Sequence, residues 1–134
     1  MTFTFEKLLV YQKAIDLADQ VCLQTERFSR GYGFLLDQLN RASLSIAANI
    51  AEGNGRFTKP DRRNFFGIAR GSVQECVPLL ELALRRGLIS GDDHAALKAR
   101  LEEIARMLSG LIKGAESRAR CSHINGGSRD AMIA

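Results

Sequence analysis

The sequence predicts an all-α protein, an antiparallel up-down-up-down four-helix bundle. Apolar residues recur in alternating steps of three and four along four separate stretches, the spacing that lines one face of a helix. No stretch shows sustained polar/apolar alternation with β-branched enrichment, the pattern of a half-buried strand. The breaks between stretches are short, so successive helices must turn back on one another. Helices of roughly 24 residues would each be about 36 Å long at 1.5 Å per residue.

The first stripe is Leu8, Tyr11, Ile15, Ala18, Cys22 and Thr25, on a helix predicted to end near Phe28. After the break at Gly31-Tyr32-Gly33, Leu35, Leu39, Ala42, Ile46, Asn49 and Gly53 mark a second helix. A third begins at Thr58-Lys59-Pro60-Asp61: Thr58 can accept from first-turn amides, Pro60 suits a first turn, and Asp61 faces the positive end of the helix dipole. Its predicted stripe is Phe65, Ile68, Ser72, Cys76, Leu79 and Leu82, and Arg85-Arg86-Gly87 supplies last-turn cations and a residue suited to the left-handed stop. Pro78 removes an amide donor inside this helix, so a kink is expected near residues 74–78. Ser90 and Asp93 start the fourth helix, striped by Leu97, Leu101, Ile104, Leu108 and Leu111. Residues 1–117 therefore form the bundle. From Arg118 the periodicity dissolves, and residues 118–134 are expected to be a flexible C-terminal tail.

A chain of 134 residues supports one core, and with 46% hydrophobic and 25% charged residues it has the composition of a folded domain. No apolar run approaches the roughly 18 residues that cross a bilayer, and Met1 to Glu6 lacks the basic start and apolar block of a signal peptide, so the expected location is cytoplasmic and no membrane partner is expected. Cys22, Cys76 and Cys121 are too far apart for a C-x-x-C metal site; the first two are expected in the core and Cys121 on the surface. The net charge of +4 permits a polyanionic partner without requiring one.

The stretch Ser45-Ile-Ala-Ala-Asn-Ile-Ala-Glu-Gly-Asn-Gly-Arg56 concentrates small side chains around one amide and one carboxylate. Ala42, Ser43, Ser45, Ala47, Ala48 and Ala51 leave room for a neighbouring helix, and Gly67, Ala69, Gly71 and Ser72 are expected to supply the matching close contact from the third, with Gly67 and Gly71 stacked on nearly one face. Asn49, lying on the apolar stripe, needs partners: it either bonds a neighbouring helix and fixes register, with Glu52 pairing to Arg56 one turn on, or these residues contact a ligand or subunit. Gly53-Asn-Gly55 reads as a helix stop, with an anion-binding nest as the alternative.

With this stretch at its centre, the chain resembles the four-helix-bundle family of proteins encoded in intervening sequences of bacterial 23S rRNA genes. Leu9-Val-Tyr-Gln-Lys-Ala14, Leu39-Asn-Arg-Ala-Ser43, and Phe65-Phe-Gly-Ile-Ala-Arg-Gly-Ser72 with Glu75 are similar to that family's segments, in order, across roughly residues 5–115. The resemblance implies a homo-oligomer, a ring-like homopentamer. It also implies distant kinship with the accessory variability proteins of diversity-generating retroelements, which bind a reverse transcriptase and nucleic acid. Pro78 departs from the family pattern, which favours a polar helix former there.

Candidate catalytic groups are sparse. His94 and His123 have no Cys, His or carboxylate at ligand spacing, Glu-x-x-His pairs are absent, and Ser43, Ser45 and Ser72 lack an activating base, so neither catalysis nor a metal or other cofactor is expected. Residues 58–87 carry six basic side chains (Lys59, Arg62, Arg63, Arg70, Arg85, Arg86) against three acidic ones, and Lys59, Arg63 and Arg70 fall on one helical face that Arg56 extends. The expected contacts to RNA or DNA phosphates are Arg56, Lys59, Arg62, Arg63 and Arg70, with little sequence selectivity because neither a base-reading motif nor an exposed aromatic platform is evident. The competing expectation is a protein-interaction scaffold that recruits an enzyme such as a reverse transcriptase without touching nucleic acid.

Overall fold

A computed structural model describes the backbone of residues 3–124 and the side chains of residues 3–114. A short 3-10 turn, Thr4–Lys7, leads into α1 (Leu9–Thr25), followed by α2 (Gly33–Asn54), α3 (Lys59–Arg85) and α4 (Gly91–Ile124). Each helix packs against its neighbours in the chain and α1 closes onto α4, while among the described residues the diagonal pairs make no close backbone approach. That is the contact pattern of an up-down-up-down bundle. No strand occurs among the described residues. No helix among them is long and apolar enough to cross a membrane.

The helix ends follow the local chemistry. Thr58 Oγ1 accepts the Asp61 amide at 3.3 Å at the start of α3, and Ser90 Oγ accepts the Asp93 amide at 3.1 Å at the start of α4. Gly87, at φ +73°, ends α3: its amide donates to the Leu84 carbonyl at 3.0 Å and the Leu88 amide to the Ala83 carbonyl at 2.9 Å. This paired return of amides satisfies the carbonyls that a helix end would otherwise leave open. Pro78 does not interrupt α3. It lies on the exposed side, as does Gln74, so the carbonyl that loses its amide partner is within reach of water. α4 continues to Ile124, past Arg118, and residues 125–134 of the expected tail lie outside the described residues.

The predicted stripes of α2 and α4 form the core: Leu35, Leu39, Ala42, Ile46 and Gly53 are buried, as are Leu97, Leu101, Ile104 and Leu108. Two stripes need correction. In α1 the buried row is Val10, Ala14, Leu17, Val21 and Thr25, leaving Ile15 and Cys22 exposed. In α3 it is Phe66, Ala69, Ser72, Val73, Cys76, Leu80 and Ala83, leaving Ile68 and Leu82 exposed. Both helices carry apolar residues on adjoining faces, and the core takes the face rotated by about one residue, 100°. Cys121 has no described side chain.

The α2–α3 junction is the most extensive in the bundle. Its tight point is Gly53: a Cβ there would stand 2.9 Å from Phe66 Cε1 and 3.0 Å from Phe65 Cβ. Gly67 and Gly71 do not supply the close contact expected of them, because a Cβ on either would meet nothing within 4 Å. The rotation of α3 that buries Phe66 and Ala69 turns both glycines to solvent.

Gly53→Ala is therefore expected to lower stability by about 1–3 kcal/mol, despite alanine's better helix propensity. A lower urea midpoint at unchanged slope would show it; a higher midpoint would mean that the seam has slack. Cys76 gives a second check. Burial, reinforced by the neighbouring Glu75 carboxylate, pushes its thiol up to about 12. At pH 8 Cys22 should be alkylated in the native protein while Cys76 stays protected until denaturant is added, as peptide mapping by mass spectrometry would reveal.

Candidate nucleic-acid interface

The outer edge of the α2–α3 seam is a ladder of polar contacts. Arg41 pairs with Glu75. One turn on, Ser45 Oγ and Ser72 Oγ lie 3.0 Å apart. Asn49 Nδ2 donates back along its own helix, to the Ser45 carbonyl at 2.9 Å and to Ser45 Oγ at 3.1 Å. The register-fixing cross-link is therefore the serine pair, with Asn49 buttressing it, rather than a direct bond from Asn49 to a neighbouring helix. Glu52 pairs with Arg56 Nη2 at 2.7 Å, and the Arg56 guanidinium lies 4.5 Å from the centroid of the Phe65 ring on α3. An exposed pair at this spacing is worth only about 0.3–0.5 kcal/mol, so a phosphate could compete for Arg56.

The Gly53-Asn54-Gly55 turn is a plain helix stop. Gly55 sits at φ −86°, in the right-handed region. Its amide donates to the Glu52 carbonyl at 3.2 Å and the Arg56 amide to the Gly53 carbonyl at 3.2 Å. These amides are directed into the helix end, so no anion nest forms.

The five predicted phosphate contacts fall into two sets. Lys59 and Arg63, both half-exposed, make no ion pair among the described residues and keep their charge available. Arg56, Arg62 and Arg70 also hold the fold: Arg62 Nε donates to the Arg56 carbonyl at 2.9 Å, and Arg70 Nε donates to Ser109 Oγ on α4 at 2.8 Å. Each ties up part of a five-donor guanidinium and leaves other N–H groups. Helical register puts Lys59, Arg63 and Arg70 on one flank of α3, the flank beside α4.

The six basic side chains of residues 58–87 do not make one field. Arg85 and Arg86 lie at the far end of α3, about 40 Å from Lys59 at 1.5 Å per residue, several screening lengths away. There Arg85 Nε donates to Glu81 Oε2 at 2.9 Å and holds that carboxyl below its ordinary range, while Arg86 Nε donates to Tyr32 Oη at 3.1 Å. His94 Nε2 approaches the same Glu81 at 3.9 Å. Among the described residues no three His, Cys, Asp or Glu side chains come together as a metal site.

Two features escaped the sequence reading. Phe57, between Arg56 and Thr58, is 100% exposed, so an aromatic ring does stand among the cations. Its signal was its place in a connection, outside every apolar stripe. The second is the outward side of α2 and α3, where Leu44 (57% exposed), Ala48, Ile68 (45%) and Gly71 are left outside the core. Periodicity placed Ile68 in the predicted stripe of the third helix and gave no signal for Leu44.

The fold is shared with a crystal structure of a protein of unknown function from the S23 ribosomal protein family of Bacteroides thetaiotaomicron VPI-5482. The TM-score is 0.73, with 78% of this chain and 99% of that chain covered at 24% identity. No curated protein matches. The family model described as 23S rRNA-intervening sequence protein matches residues 6–110, from the 3-10 turn into the last turns of the described core of α4. The chain is a member of the 23S rRNA-intervening sequence protein family.

Proposed function

We propose that the protein is a non-enzymatic homo-oligomer that binds RNA or DNA through backbone phosphates with little sequence selectivity. The observation that carries this reading is the concentration of charge at one end of the bundle: residues 52–63 hold Arg56, Lys59, Arg62 and Arg63 against Glu52 and Asp61. Glu52 is already paired with Arg56, and Asp61 sits at the positive end of α3. Backbone phosphates suit such a site because they ask for cations and not for a particular base edge.

Assembly is supported by the outer α2–α3 face. Leu44 and Ile68 are exposed on helices whose seam carries the mutually neutralised Arg41–Glu75 pair. Gly67 and Gly71 each cost about 1 kcal/mol of helix propensity without an internal contact in return, as fits a face that a second copy approaches closely. In the pentamer implied by the family resemblance, five basic ends would act on one strand with a multiplied effective concentration. The same apolar face is what a protein-recruiting scaffold would use, so the alternative of a bound enzyme such as a reverse transcriptase rests on Leu44 and Ile68 without the cations.

Light scattering should give an oligomer for the native chain and a monomer of unchanged helicity for Leu44→Asp with Ile68→Asp; a native monomer would remove the assembly. Fluorescence anisotropy with labelled RNA and DNA should show affinity falling steeply with added salt. Lys59→Glu with Arg63→Glu should weaken binding by about tenfold or more in the native oligomer. Binding that ignores both salt and these reversals would exclude the phosphate contacts, and no binding of RNA or DNA at low salt would favour the scaffold.

A further inference from the structure

The connection between α2 and α3 is four residues long, and its one aromatic side chain, Phe57, is completely exposed. Its ring borders a cleft of about 440 Å³ whose other walls include Phe5, Ala51, Glu52, Arg56 and Asp61. Phe5 is in turn stacked with Phe3, their ring centroids 5.7 Å apart and planes 17° from parallel, and Phe3 is itself 64% exposed. Asn54 Nδ2 donates to Thr4 Oγ1 at 2.9 Å, holding this N-terminal segment against the end of α2. Exposed aromatic faces therefore occupy the same end of the bundle as Lys59 and Arg63, which make no ion pair among the described residues.

Resting on the phosphate-binding reading above, we propose that Phe57 stacks on an unpaired base, so that the preferred ligand is single-stranded nucleic acid. Alternating cations and exposed rings is what a single strand requires, since its backbone carries charge and its bases present free π-faces. In a duplex the bases already stack on one another, and a side chain reaches between them only by unstacking a step. Charge complementarity also favours nucleic acid over a protein partner for this ring. An apolar protein anchor is ringed by contacts that exclude water, whereas Phe57 stands between Arg56 and Thr58 with Lys59, Arg62 and Arg63 close in the chain. Stacking is indifferent to base identity, which accords with low sequence selectivity.

The test compares a labelled 15-nucleotide oligouridylate with an RNA duplex of the same length, using the full chain at low salt. The native protein should bind the single strand more tightly. Phe57→Ala should lose about tenfold or more of that affinity while binding the duplex as before. Phe57→Trp should retain it, and because the chain contains no other tryptophan, its emission should be quenched as oligouridylate is added. Single-strand affinity unchanged in Phe57→Ala, or a native preference for duplex, would overturn the stacking role and leave phosphate binding standing. Loss of the oligomer in Phe57→Ala, seen by light scattering with the affinity per subunit unchanged, would assign the ring to a contact between copies and overturn it too. No binding of either RNA by the native chain would sink the phosphate-binding reading itself.

Discussion

Gly53 against the Phe66 ring is the contact on which the geometry of the basic end depends. Only a hydrogen at that position lets the ring seat itself, since a Cβ would come within 2.9 Å of it. Because α2 and α3 are pinned there, one residue before α2 ends, the chain must reverse through a four-residue connection. Phe57 is thrust outward and Arg56 folds back over the Phe65 ring, while Lys59, Arg62 and Arg63 follow on the first turns of α3. Up the seam, Ser45–Ser72 and Arg41–Glu75 repeat the same register. Hydrogen bonds and exposed ion pairs of this kind contribute about 1 kcal/mol or less each. Lined up along one edge of a buried apolar seam, they select one alignment over a slipped one.

This arrangement separates the surface into regions with different chemistry. One end of the bundle gathers aromatic faces and cations, of which Lys59 and Arg63 are unpaired among the described residues. At the opposite end Arg85 is engaged by Glu81 and Arg86 by Tyr32, while the exposed Arg27 and Arg30 make no ion pair among the described residues. Between them runs an outer face with exposed leucine and isoleucine and two helical glycines. In the proposed assembly, the outer face joins copies and the basic ends meet the ligand. The two tasks then involve different residues, and a substitution in one region should leave the other intact.

How much of this was legible in the sequence follows from how the apolar residues are distributed. α2 and α4 have one dominant stripe each, and most of the residues predicted to be buried there are: Asn49 and Leu111 are only half-buried, and α2 also buries Ser43, Ala47 and Ile50. α1 and α3 have two adjacent apolar faces, and periodicity cannot say which turns inward; that choice is made by the partner helices. The expectation that Gly67 and Gly71 receive α2 failed for the same reason, since a rotation of one residue carried them to the surface. Caps were legible because they are local: Thr58, Ser90 and Gly87 need only their own neighbours. The Glu52–Arg56 pair was local as well. The Ser45–Ser72 bridge and the seat of the Arg56 guanidinium over Phe65 were not, because both join residues distant in the chain and depend on the register that packing sets. Membership of the basic cluster was half legible. The cations were visible as a list, but their division into free charges, fold-supporting charges and a remote paired set came only with the third dimension.

The most direct test of the account is hydrogen exchange, read by mass spectrometry with and without oligouridylate. Added RNA should slow exchange in residues 55–65, where the connection meets the first turns of α3, and leave residues 26–33 and 86–91 at the opposite end unchanged. Protection at that opposite end, or spread evenly along the bundle, would contradict the assignment of function to the end that the Gly53 contact creates.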